Sequence, residues 1–419
     1  MNTVSSYAVH APRLRAWQTF ALFVGVLGEL FLAGDWYGFA AVMPFVSHAL
    51  ALSPAEAGFA QGAFAITYGV GMCVWSPLGR TLSARVLFAV GLLGAGLAMF
   101  WQSHAASYAM LIALRLVIGF FDAAVWVGTM KLIVGWFPPR RHGFTMGVLL
   151  AAFSLAITLD FAIGIPVSEA FGWRTFFAAL GVATCAVGAF GALAIRGGPR
   201  EIGYADFRWD DEAGHAHAHT HNEAPRQAVS IWAVFRSKWL YVGALAIFGD
   251  MFAISAVTTW VVPAFIEVQH MPVPAAATVG ATMGFAQVVV LLVGGWLSDR
   301  MPRTAMLKVG AACCVAAALA FVATTLVRIE WSGLLAISAF SGVVVLSGGA
   351  IFSLVSEKYG EALAASAIGF AELGGIVSTF VAPALLGAVI GATQSFAVAF
   401  GVFAAVEVLI FVALLVVAR

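Results

Sequence analysis

The sequence predicts an all-α membrane protein of twelve spanning helices, arranged as two six-helix halves. Three observations carry that prediction. Of 419 residues, 62% are hydrophobic and 10% are charged, with a mean hydropathy of +0.98; a soluble domain carries about 45–50% apolar and about 25% charged residues. Apolar runs of about 20 residues, the length a bilayer demands of a helix, recur twelve times. One long polar stretch, 196–236, divides them six and six. This balance excludes a soluble enzyme, a nucleic-acid binder and a disordered scaffold.

The runs fall at 17–45, 56–77, 84–102, 107–136, 143–168, 173–195, 238–266, 274–297, 304–327, 332–357, 361–390 and 393–418. Arg13 and Arg15 precede the first, which is too long for the apolar core of a signal peptide and reads as a spanning helix. Connections are short and carry turn chemistry, as in Ser53-Pro54, Pro138-Pro139 and Met301-Pro302. The expected organisation is therefore a half at 1–195, a linker at 196–236 and a second half at 237–419. With the N-terminus in the cytoplasm, 17 of the 21 Lys and Arg fall on the cytoplasmic side, as the positive-inside rule requires. Arg174 and Arg328 lie outside, and Arg115 and Lys131 lie within a span. The cysteines (Cys73, Cys185, Cys313, Cys314) sit inside apolar runs and read as small buried hydrophobes. The net charge of +1 gives no basic field for nucleic acid, and no P-loop for direct ATP drive is present.

The halves echo one another. Gly34-Asp35 in span 1 is matched by Gly249-Asp250 in span 7, and Ser76-Pro77-Leu78-Gly79-Arg80 occupies the place of Gly294-Gly295-Trp296-Leu297-Ser298-Asp299-Arg300. Parallel repeats of this kind place a substrate site near the midplane between them. The loop from Gly295 through Asp299, Arg300 and Arg303 resembles the signature loop of the major facilitator superfamily. The resemblance covers nearly the whole chain and implies that Gly295, Asp299, Arg300 and Arg303 latch one conformational state. The first-half copy keeps Gly79, Arg80 and Arg85 but has no acid. Arg115-Leu-Val-Ile-Gly119 resembles the superfamily's Arg-x-x-x-Gly signature, often tied to proton coupling. Trp136-Phe137-Pro138-Pro139-Arg140-Arg141-His142-Gly143 and Phe171-Gly172-Trp173-Arg174 are similar to the branch that moves organic and inorganic anions.

Seven acids fall within spans, namely Glu29, Asp35, Asp122, Asp160, Asp250, Glu372 and Glu407, against two bases, Arg115 and Lys131. A charge at a helix centre costs about 2.5–3.5 kcal/mol on insertion scales, so each calls for a partner, a proton or a water-filled cavity. Asp35 and Asp250 are expected to face the central cavity as proton carriers or as counter-charges. Arg115 and Asp122, two turns apart on one face of span 4, read either as a coupling pair or as an interhelical tie. Asp160, before Gly164-Ile165-Pro166, and Glu372, among small residues, are further candidates. Glu29 is set aside because it lies about 240° from Asp35 around the helix, and Glu407 because span 12 lies peripherally in the superfamily. Trp36, Tyr37 and Trp260, beside the Gly-Asp steps, are candidate cavity aromatics. Lys131 reads as a snorkelling lysine.

His215, His217, His219 and His221 alternate with small residues, so in an extended chain all four face one way and form a weak candidate metal tract; the other reading is a plain solvated linker. The expectation is a proton-coupled secondary transporter of a small organic solute, such as a carboxylate, working by alternating access without a cofactor. Because the anion branch commonly carries arginines where this chain has Asp35 and Asp250, weight moves toward a neutral or cationic solute, or toward symport in which protonated acids accompany the anion. Its expected partners are protons, the solute and the lipid bilayer, with no nucleic acid. It is expected to act as a monomer in a bacterial inner membrane, with both termini cytoplasmic. A transporter of a transition metal or metal chelate, and a non-transporting sensor or scaffold, are the alternatives.

Overall fold

The computed structural model describes residues 6–138, 141–204, 232–298 and 300–418. Six long helices build the first half: α1 (Ser6–Leu50), α2 (Pro54–Leu78), α3 (Ala84–Gln102), α4 (Tyr108–Trp136), α5 (His142–Phe171) and α6 (Trp173–Ala194). The short α7 (Trp232–Arg236) leads into the second half. That half contains α8 (Lys238–Glu267), α9 (Val273–Ser298), α10 (Arg303–Leu326), α11 (Trp331–Phe340), α12 (Gly348–Thr393) and α13 (Phe396–Val417). Twelve segments among the described residues are long and apolar enough to cross a bilayer, and no strand occurs among them.

Local chemistry explains most boundaries. Ser53, Ser83, Ser107, Ser237 and Ser395 each accept a backbone N–H at a helix start, and Ser53 with Glu56 forms a complete capping box. A single residue, Gly172, joins α5 to α6 at φ 85°, a backbone conformation that glycine adopts without cost.

Spans 10 and 11 depart from the expected pattern of one helix each. Span 10 is broken: α11 ends at Phe340, a 3-10 turn follows over Ser341–Val345, and α12 begins at Gly348. Ser341-Gly342 and Ser347-Gly348-Gly349 are poor helix formers and explain the interruption. The helix α12 then continues through the expected connection at 358–360 (Lys-Tyr-Gly), where no proline intervenes and the following Glu361, Ala362 and Leu363 favour helix. It nevertheless doubles back, because a Cβ on Gly243 would meet both Val355 (2.6 Å) and Ala371 (3.6 Å). Sixteen residues of straight helix would separate these two by about 24 Å.

The halves meet along two glycine-mediated seams. Gly58 and Gly62 of α2 lie against the backbone of Pro383 and Phe380 of α12, and Phe59 packs edge-to-face on Phe380 at 5.5 Å. Gly280 and Gly284 of α9 lie against Phe161 and Thr158 of α5. These contacts fall in the part of each helix remote from the linker, called here the far end. At the linker end, Gly143 and Gly147 of α5 and Gly295 of α9 have nothing within 4 Å of a Cβ position. The halves are thus closed together at the far end, and α5 and α9 make no close approach at these linker-end glycines.

Candidate functional site

Arg115 is fully buried in α4, and four backbone carbonyls take its guanidinium. Nε donates to Ala60 (3.1 Å), Nη1 to Asp35 (2.9 Å), and Nη2 to Trp36 (3.2 Å) and Gln61 (2.9 Å). The plane also sits over Phe39 and Phe64. Arg115 therefore fastens α4 to α1 and α2 and makes no direct ion pair with Asp122. Asp122 instead accepts from Trp36 Nε1 at 3.0 Å, leaving its Oδ1 without a partner.

Asp35 and Asp250 do not face the space between the halves. Asp35 accepts from Thr184 of α6 at 3.2 Å, and Asp250 accepts from Ser347 at 2.9 and 3.0 Å. Helical rotation supplies the reason. Tyr37 faces Ser255 of α8 in the opposite half, and Asp35 lies about 200° around the helix from it, turned back into its own half. Asp160 is buried beside them, its Oδ1 3.5 Å from the Cβ position of Gly34 and its Oδ2 unpartnered.

Glu29 shares the face of Trp36, since seven residues make two turns. It is buried, its Oε2 has no hydrogen-bond partner, and it lies in electrostatic range of Glu372 on α12 of the opposite half. Tyr68 of α2 stands within range of Glu29, Asp122 and Glu372, with Trp36 edge-on to it at 4.8 Å. Glu372 is half-buried. The structure thus brings Glu29, Trp36, Tyr68, Asp122 and Glu372 into one polar group at the interface. Sequence reasoning missed Glu29 because it measured rotation from Asp35; measurement from Trp36 would have found it. Buried polar atoms without hydrogen-bond partners also occur at Tyr37, Ser255, Thr258, Thr259 and Gln287. Tyr37 was among the expected cavity aromatics; Ser255, Thr258, Thr259 and Gln287 carried no sequence signal, because such residues are common in spanning helices.

Trp260 donates Nε1 to the carbonyl of Pro383 at 3.2 Å and borders a cavity of about 300 Å³ at the far end. Met43, Ser47, His48 and Pro54 from the first half and Pro263 and Glu267 from the second share its wall. Met43 lies eight residues beyond Asp35, about 12 Å of helix.

The two inter-helix loops close differently. Lys131, which the sequence presented as a snorkelling residue, donates to Gly79 (2.7 Å) and Leu82 (2.6 Å), capping the loop that lacks an acid. In the second half Arg303 bonds Ser298 and pairs with Glu357 of α12 at 3.2 Å, while Arg300 lies over Trp296. Asp299 and the histidines at 215, 217, 219 and 221 lie outside the described residues. Among the described residues, no three or more His, Cys, Asp or Glu side chains converge in a way that could hold a metal.

The model of the Major Facilitator Superfamily matches residues 25–383. A probable sulfoacetate transporter of Cupriavidus necator is 24% identical over 362 residues, covering 84% of this chain and 83% of that protein. A probable galactarate/D-glucarate transporter of Bacillus subtilis is 21% identical over 381 residues, covering 84% and 81%. A putative glycerol-3-phosphate transporter of Arabidopsis thaliana is 28% identical, but only over 34% of this chain and 27% of that protein. In fold, the chain is similar to a bacterial homologue of the human lysosomal transporter Spinster, solved inward-facing and unoccupied. The TM-score is 0.72 at 16% identity, covering 96% of this chain and 95% of that one.

Proposed function

The chain belongs to the major facilitator superfamily, and on that footing we propose that it carries a small organic anion, of carboxylate or sulfonate type, together with protons by alternating access. The observation that carries this reading is the buried Glu29, whose Oε2 has no hydrogen-bond partner, on the α1 face of Trp36, which packs on Tyr68 at 4.8 Å, with Glu372 of the opposite half within electrostatic range. The guanidinium of Arg115 is held by four carbonyls and makes no direct ion pair with either acid. Two ionised carboxylates repel an anion, whereas two protonated ones donate hydrogen bonds to it. Anion and protons therefore enter together, and release of the protons expels the anion. The unpartnered groups of Tyr37, Ser255, Thr258, Thr259 and Gln287 suit a hydroxyl-bearing body. The organic anions named for the two relatives matched over most of their length, sulfoacetate and galactarate/D-glucarate, support the class.

In this reading the linker end admits solute from the cytoplasm, and the cavity beside Trp260 is the remnant of the opposite vestibule. The excess of Lys and Arg on the linker side supports cytoplasmic termini in an inner membrane. Asp35, Asp122 and Asp160 support the proton route from within the first half, while Trp36 and Tyr37 wall the site. The Arg303–Glu357 pair is the linker-end latch.

A thermal-shift panel of D-glucarate, galactarate, sulfoacetate, sugars, amines and divalent metals, run on the detergent-purified chain at two pH values, tests the class. A ligand at 100 times its Kd stabilises by about 2.7 kcal/mol. The expected result is a shift with the anions that grows at lower pH. A shift with amines or metals alone would overturn the proposal.

A further inference from the structure

A second acid group lies inside the C-terminal half, away from the interface. The two halves share a register here: Asp35 and Asp250 follow Gly34 and Gly249, while Thr184 and Glu407 are each the twelfth residue of the last helix of their half. In the first half the hydroxyl of Thr184 donates to Asp35. In the second half a carboxyl stands in place of that donor. Glu407 is 0% exposed, and neither of its oxygens has a hydrogen-bond partner.

Its Oε2 lies 3.6 Å from the Cβ position of Gly249, and Glu407 and Asp250 line the same enclosed pocket. Asp250 on α8 is oriented by the hydroxyl of Ser347, which the break in span 10 delivers. From α10 the pocket receives Cys314, with Cys313 nearby, and the remaining wall is aliphatic. No lysine, arginine or histidine lines it. The space between the groups has no room for a water molecule, which excludes a hydrated cation, and among the described residues no three or more His, Cys, Asp or Glu side chains converge to hold a dehydrated metal ion. A proton is the one neutralising species small enough.

We propose that Asp250 and Glu407 form a proton-binding carboxyl pair within the C-terminal half, with the proton on Glu407 and the Asp250 carboxyl, held by Ser347, as its partner. Release requires the seam between α8 and α13 to part and admit water: the O–H bond of Glu407 then breaks, the proton passes to that water, and a carboxylate remains between the two helices. That charge must draw water into the seam, so proton occupancy controls how tightly the two helices pack. The pair's protonation does not depend on which solute crosses the interface.

Infrared difference spectroscopy of the purified full chain between two pH values, in water and in heavy water, tests this. The expected spectrum contains a deuterium-sensitive band of a protonated carboxyl that is absent in Glu407→Gln and displaced in Ser347→Ala. The Ser347→Ala variant keeps both acids and stands in if Glu407→Gln does not fold. Carboxyl spectra unchanged in both variants would overturn the proposal, as would loss of the band on adding sodium at constant pH. Because the readout needs no transport, it stands or falls separately from the carrier function.

Discussion

Arg115 shows how far a residue's type leads and where its surroundings take over. A buried arginine near acids suggests an ion pair, yet here the guanidinium plane is matched to carbonyls presented by two neighbouring helices. Lysine cannot reproduce that fork, so Arg115→Lys leaves buried acceptors unpaired at about 1–3 kcal/mol each. A fall in melting temperature in detergent, with ligand affinity retained by the folded fraction, is the expected outcome. Trp36→Phe removes the indole N–H that donates to Asp122 and belongs to the same class, with a cost of about 1–3 kcal/mol. Glu29→Gln and Glu372→Gln differ in kind: each keeps size and hydrogen bonding but cannot release a proton. Both should retain solute exchange across vesicles while losing accumulation against a gradient. That the acids matter was legible from their rarity in spans. Which of them meet was not, because rotation about α1 fixes only relative faces, and the identity of the inward face came from packing.

At the scale of the helix, small residues divide into two groups with different consequences. A Cβ on Gly119 would strike Phe64 within the first half, so Gly119→Ala should lower stability by about 1–3 kcal/mol. Gly58 and Gly62 touch the other half, and alanine there should instead prise open the far end. Distance measurements between spin labels on α2 and α12 should show the far-end separation increasing in Gly58→Ala, while thermal stability stays close to that of the parent. An unchanged distance distribution would remove these glycines from the closure. Most helix boundaries were legible from apolar run length and serine caps. The break in span 10 was carried by Ser341-Gly342 and Ser347-Gly348-Gly349, but an apolar count passes over it. The turn inside α12 keeps its helical hydrogen bonding because no proline interrupts it and the helix formers Glu361, Ala362 and Leu363 follow Gly360 directly.

For the molecule as a whole, the repeat visible in the sequence predicts two similar halves, and the fold agrees. The symmetry is incomplete where chemistry differs: Lys131 closes the acid-free loop in one half, and the Arg303–Glu357 pair serves the other. Substrate class was not legible in the same way, since it depends on partnerless groups brought together from several helices. If the histidine tract is only a linker, deletion of residues 213–222 should leave transport at the parent rate, measured in cells at matched expression. The central claim is that anion and protons move together through the Glu29–Glu372 interface. Its most direct test is uptake of labelled D-glucarate or sulfoacetate into proteoliposomes with an imposed pH gradient, alkaline inside. Accumulation that a protonophore abolishes, and that Glu372→Gln reduces to simple equilibration, is the predicted result. Accumulation indifferent to the pH gradient, or unchanged in Glu372→Gln, would contradict it.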